Sequence, residues 1–191
     1  CYVQSQEKNS IYEKYLYLVI HFPICEICYG AERGKDTQEI DFILGRDFLI
    51  TTHYEPIQVM VEFGKIFEAQ FKIGDNRTAL HAGYLFHHIM KEMYIALETG
   101  MDFVKEELKR TENKVFNGKE KEMVMTLADI NRNLFDFHWA LKPHIQIIDS
   151  LELAVGHFFD SKFSYYVRSI KSQFNKIYEL MEGNREMFRE I

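Results

Sequence analysis

The residues of this chain best able to do chemistry are its cysteines and histidines. Cys25-Glu-Ile-Cys28 has the spacing of half a zinc site or of a redox dithiol. A structural zinc site takes four ligands, and Cys1 is the only other cysteine. A thioredoxin-type dithiol sits where a strand runs into a helix, whereas both flanks here read as strand or loop. The pair therefore reads as free buried thiols. Of the eight histidines, the spacing lets His81 and His88 share a helical face with Glu92, and His138 and His144 sit on the return helix. Di-iron carboxylate bundles draw Glu-x-x-His from two helices, and zinc proteases use His-Glu-x-x-His. Neither pattern occurs, so the histidines read as paired or half-exposed. Gly-x-Ser-x-Gly, phosphate-binding loops and dinucleotide fingerprints are absent too, and the carboxylate pairs lie on faces that read as solvated helix. No catalytic and no cofactor-binding residue is assigned, metal ligands stay open, and an enzyme is not expected.

The totals bound the setting. A chain of 191 residues buries a real core, as one domain or as a domain plus a projecting helix. Its net charge is −6, and no Lys/Arg run stands out, so neither nucleic acid nor an anionic membrane surface is expected as main partner. Three cysteines do not staple a chain of this size, which fits a reducing, cytosolic setting. There is no signal peptide and no initiator Met, which predicts a fragment of a longer protein. The longest apolar runs, such as Tyr15 to Ile20, fall far short of the ~20 residues of a membrane helix.

Positioning elements follow from the spacing. Cys1 to Glu13 is polar and reads as a helix or a ragged entry. Tyr15 to Phe22, aromatic and β-branched and closed by Pro23, reads as a strand. The stretch 30–36, with two glycines and four charges, reads as a solvent loop. Glu39 to Leu44 and Phe48 to His53 are two more strands, joined tightly through Gly45-Arg46-Asp47. Ile40, Phe42 and Leu44 point to one face; Asp41 and Ile43 share the other, part of which a helix is expected to cover. Pro56 suits a first helical turn, and Met60, Phe63, Phe67 and Phe71 carry the helix on to Lys72. A break follows at 73–77.

From Thr78 on, the pattern is helical. A long helix to about Phe116 has a stripe at Phe86, Ile89, Met93, Leu97, Val104, Leu108 and Val115. Its charged outer half predicts projection into solvent with little core behind it. Asn117-Gly118 makes the turn. The return helix repeats in steps of four and three at Met123, Leu127, Ile130, Leu134, Phe137, Leu141, Ile148, Leu151 and Val155. His144 takes one of its inner positions, and Pro143 predicts a kink. The stretch 156–163 turns the chain again. The last helix repeats at Phe163, Val167, Ile170, Phe174, Ile177, Met181 and Phe188, with Asn184 at the one inner position lacking a hydrophobe. The pattern runs off the end at Ile191, again as expected of a fragment. The fold class is α+β: a small, mostly antiparallel sheet with flanking helices, then a long antiparallel helical hairpin and a long C-terminal helix.

Glu39-Ile-Asp-Phe-Ile-Leu-Gly-Arg-Asp-Phe-Leu-Ile-Thr-Thr-His53 closely resembles the strand pair of CorA-type magnesium/cobalt transporters. The charged hairpin, the stretch from Leu127-x-x-Ile-Asn-Arg-x-Leu134 to Trp139-x-x-x-Pro143, and Tyr166-x-Arg168 at the start of the stalk helix are similar to that family as well. The likeness covers nearly the whole chain in order. It implies the cytosolic part of a divalent-cation channel, on the cytoplasmic side of the cell membrane, divided into a sheet region (1–77), a hairpin packed on it (78–162) and the start of a stalk (163–191) leading to absent membrane segments. It further implies a homopentamer, Mg²⁺ as transported ion and possible regulator, no required cofactor, and no nucleic-acid or small-molecule partner. The pore motif Gly-Met-Asn would lie beyond Ile191.

In metal-sensing members of that family, acidic residues of the sheet-side helix and the stalk bind Mg²⁺ between subunits. The matching positions fall near Ile57 and Ser169, neither a ligand for a hard cation; Arg168 and Lys171 would repel one, while Glu55 and Glu62 lie close enough to serve under a shifted alignment. Asn184 and Gly183 mark either a place where stalk helices rearrange or a register-setting polar contact. The contrasting reading is a soluble helical-hairpin interaction module with no transport role.

Overall fold

A computed structural model describes residues 2–7, 14–24, 37–72, 82–158 and 161–191. Four strands, β1 (Tyr2–Glu7), β2 (Lys14–Pro23), β3 (Thr37–Gly45) and β4 (Leu49–His53), form an antiparallel meander in sequence order. The entry expected to be helical or ragged is thus a strand over Tyr2–Glu7, paired with β2 from Tyr2 opposite Val19 to Glu7 opposite Lys14. Its polar composition hid a strand whose backbone pairing, not apolar alternation, places it.

Alternation does place β2 and β3. Leu16, Leu18 and Ile20 lie opposite Leu44, Phe42 and Ile40, and all six are buried on one face. The tight connection after β3 is closed by the Gly45 N–H donating to the Phe48 carbonyl at 2.9 Å. A Cβ on Gly45 would meet the ring of the half-exposed Phe48, which would have to move aside. On the opposite face Asp41 accepts from the Tyr17 hydroxyl at 3.1 Å and from the Thr52 hydroxyl at 3.3 Å. The helices of the described residues pack on the Leu18–Phe42 face instead of covering this one, as the Phe42–Phe86 and Phe22–Tyr94 ring contacts show.

Five helices follow: α1 (Gln58–Lys72), α2 (Ala82–Phe116), α3 (Glu120–Leu141), α4 (His144–Phe158) and α5 (Ser161–Glu190). The α2–α3 turn is a Schellman closure. The Lys119 N–H reaches the Lys114 carbonyl, the Gly118 N–H reaches the Val115 carbonyl, and Gly118 takes φ +79°. Pro143 does more than kink the return helix. It lacks the N–H that would continue the helical ladder, and the chain passes through a turn at Lys142–Pro143 before α4 begins. The turn expected over 156–163 is shorter, because α4 runs through Gly156 to Phe158 and α5 starts at Ser161.

The inner positions of α2, α3 and α4 join those of the sheet in one apolar cluster, and α5 closes it. The outer half of α2 has more backing than its charge suggests, since Val104, Leu108 and Thr111 are buried.

Candidate functional site where the last helix meets the hairpin

The steps of four and three in α5 put Phe163, Val167, Ile170, Phe174, Ile177 and Met181 on one stripe, and all six are buried. Each such side chain contributes ~1.5–3 kcal/mol when fully removed from water. The stripe packs along this chain's own hairpin: Phe174 lies against Tyr94 of α2, with ring centroids 6.0 Å apart, and against His144 of α4 at 6.2 Å. A helix whose apolar face is used up in this way presents its polar face outward, through Arg168, Ser172, Lys176 and Glu179.

Polar attachments accompany the apolar stripe along its length. Near the start of α5, the Ser169 hydroxyl is 2.9 Å from His87 Nε2 of α2. The same imidazole stacks on Tyr166 at 5.3 Å, and its Nδ1 is buried with no hydrogen-bond partner. Burial holds the His87 pKa below the usual imidazole value, and the nearby Lys91 and His88 add to the effect. On the α4 side, Lys171 donates to Asp149 at 2.9 Å and to Glu152 at 3.0 Å, and these carboxylates push its pKa up.

Near the end of α5, the buried Asn184 amide donates to the Met101 carbonyl of α2 at 2.8 Å. In the same turn Glu182 and Arg185 meet His138 of α3, at 3.1 Å and 2.8 Å from its Nδ1. Asn184 thus makes a buried polar contact within the chain. His144 is likewise internal: it lies between the Tyr94 hydroxyl, 3.0 Å from Nδ1, and the His21 carbonyl, which accepts from Nε2 at 2.9 Å. Burial lowers its pKa to about 4, so it is a neutral structural bridge among α2, α4 and β2.

The two positions that the resemblance matched to a cation site hold no pair of oxygens for one. Ile57 is in the core, and Ser169 is engaged with His87. Arg168 is exposed beside it, whereas Lys171 is tied to α4. Glu62 accepts from Gln58 at 2.6 Å on an exposed surface, and Glu55 lines a cavity of about 440 Å³ together with His21 and Glu39, whose Nε2 and Oε2 are 2.8 Å apart. His88 and Glu92 line a second cavity of about 290 Å³ between α1 and α2, where His88 is 5.1 Å from the Phe63 ring. Among the described residues no group of three or more His, Cys, Asp or Glu is arranged to hold a metal ion. Cys1, Cys25, Cys28 and His81 lie outside the described residues. No described helix is long and apolar enough to cross a membrane.

The sequence singled out His138 but neither His87 nor the partners of His138, Glu182 and Arg185. The Glu182-x-x-Arg185 spacing was a visible signal of an i,i+3 pair, but nothing local tied it to a histidine more than 40 residues earlier.

Among solved structures, the chain is similar to the soluble domain of CorA from Methanocaldococcus jannaschii, with a TM-score of 0.76 at 14% identity over 98% of this chain and 70% of that one. It is similar to the complete CorA magnesium transporter of the same organism, with a TM-score of 0.77 at 14% identity over 98% of this chain and 56% of that one. A weaker likeness, TM-score 0.55 at 15% identity over 92% of this chain and 67% of that one, links it to the cytoplasmic domain of ZntB from Vibrio parahaemolyticus. At these identities the likeness is one of fold, and the chain spans little more than half the length of the complete transporter. No curated protein matches it. The family model described as CorA-like Mg2+ transporter protein matches residues 3–191, so the chain belongs to that family.

Proposed function

We propose that this chain is the cytosolic part of a divalent-cation transporter, with Mg²⁺ as the ion carried, and that it supports and gates a homopentameric pore. The supporting observation is the match of the family model to residues 3–191, together with a fold like that of the soluble CorA domain. In this reading residues 1–77 and 78–162 form the body that holds α5, and 163–191 form the upper stalk. The apolar stripe of α5 is spent on its own hairpin, so neighbouring stalks meet through the polar face of that helix. The test is uptake by the full-length gene product in cells lacking their own Mg²⁺ transporters. Restored growth at low external Mg²⁺ is the expected result, and no uptake despite membrane insertion would refute the reading.

A second reading, a helical-hairpin interaction module without transport, has one observation in its favour. The outward side of α3 carries Val124, Phe135 and Trp139, the last 64% exposed. Phe135 and Trp139 stack with centroids 6.1 Å apart, a pair of the kind enriched at binding surfaces. Replacing Trp139 by Ser separates the two: it leaves uptake intact if transport is the function, and abolishes the biological effect if partner binding is.

A further inference from the structure

At the end of α5, His138 Nδ1 has two neighbours that one nitrogen cannot serve at once. Arg185 Nη1 lies 2.8 Å away and is only a donor. Glu182 Oε1 lies 3.1 Å away and, ionised, is only an acceptor. A neutral imidazole carrying its proton on Nε2 accepts from Arg185, which also donates to Glu182 at 2.8 Å. An imidazolium carries a proton on Nδ1, which points to Glu182, and its charge then opposes the guanidinium. The same three groups therefore support two arrangements, exclusive of one another and separated by one proton.

We infer that His138, Glu182 and Arg185 form a proton-operated latch between α3 and α5. Above the imidazole transition Arg185 bridges Glu182 and His138; below it His138 takes Glu182 for itself and Arg185 leaves the ring. Only one of the two polar attachments at this level responds to protons. The other, the Asn184 amide to the Met101 carbonyl at 2.8 Å, has no titrating member and keeps α5 on α2 in both states. A bond joins α3 to α5 in both states, and what the proton changes is which α5 residue carries it, Arg185 or Glu182.

The surroundings favour the exchange. Burial raises the Glu182 pKa, but Arg185 and His138 outweigh it and leave the carboxyl below the usual value, so it is an ionised acceptor for either partner. The ring is met by Glu182, Arg185 and the Tyr178 ring at 6.3 Å, all from α5. Its own helix brings Lys142, whose backbone N–H bonds the His138 carbonyl at 3.0 Å. From α2 this level of α5 receives the Met101 carbonyl, an uncharged group. Imidazole is the side chain whose charge ordinarily changes between pH ~5 and ~8.

The inference does not depend on the transport reading, because its test uses this chain alone. Nitrogen-15 NMR across the imidazole transition reports each partner separately. The expected result is an Nε2–H tautomer at high pH, a transition at His138, and Arg185 guanidinium signals that move with the same midpoint while the Asn184 side-chain amide stays put. His138→Gln should remove the Arg185 transition. If that variant fails to fold, Glu182→Gln serves instead: it keeps an oxygen acceptor but removes the negative charge that favours the imidazolium, so the midpoint of the His138 transition should fall. Arg185 signals indifferent to the His138 transition, an Nδ1–H tautomer at high pH, or an unmoved midpoint in Glu182→Gln would each overturn the latch.

Discussion

Asn184 of α5 gives its side-chain amide to the main-chain carbonyl of Met101, 83 residues earlier in α2, across 2.8 Å of buried space. On a face otherwise made of Phe, Val, Ile and Met, a polar group survives because it finds a fixed acceptor. It thereby selects one register of α5 on α2 over a slide by a turn.

Replacing Asn184 by Ala should therefore weaken the fold. The change loses the bond and leaves a small void, a cost of about 1–3 kcal/mol. Urea unfolding followed by circular dichroism measures it. An unaltered midpoint would show that the bond carries nothing.

Stability should fall as the solution is acidified, with His144 as a main cause. Its folded-state pKa, about 4, lies below the 6.5 of the unfolded chain, so the unfolded chain binds the proton first. The contribution is complete above pH 6.5 and declines as pH falls to about 4. Across a shift of that size it amounts to about 3 kcal/mol. His87, also lowered by burial, acts in the same direction. His144→Gln should flatten the profile; an equally steep one would assign the acid sensitivity to other groups.

Two glycines should respond oppositely to alanine. Gly118 adopts φ +79°, where a side chain is strained although no atom lies within 4 Å of its Cβ position. Gly118→Ala should cost ~1 kcal/mol. Gly183 sits inside α5 with open space around it and a helical backbone, so Gly183→Ala should stabilise by ~0.5–1 kcal/mol. Thermal melts of the pair decide the matter, and a destabilised Gly183→Ala would point to a need for flexibility there.

Magnesium should stabilise the chain little. Ile57 is buried and Ser169 is bonded to His87, so the matched positions provide no carboxylate for the ion. At millimolar Mg²⁺ the melting temperature should move by no more than ~1 °C relative to monovalent salt of equal ionic strength. A rise of several degrees would reveal a cation site elsewhere on the chain.

Spacing along the chain sufficed wherever one element's pattern decides its own shape. The period of two in Leu16, Leu18, Ile20 and in Ile40, Phe42, Leu44, the stripes of α2 and α5 and the turn at Gly118 were all legible, because each follows from local backbone geometry and amphipathicity. Polar Tyr2–Glu7 lacked such a pattern, and only pairing with β2 makes it a strand.

What the neighbours of a side chain would be was decided by the tertiary structure alone. The sequence shows that α5 has an apolar face with a polar gap at Asn184; it does not show that the face is consumed by α2 and α4, or that the gap meets a carbonyl. His87 with Ser169, and His138 with Glu182 and Arg185, come together from 82 and more than 40 positions apart. Burial, tautomer and pKa depend on which atoms lie within a few ångströms. Those distances exist only once helices have packed in one register, so amphipathic spacing announces the helices and their packing makes the chemistry.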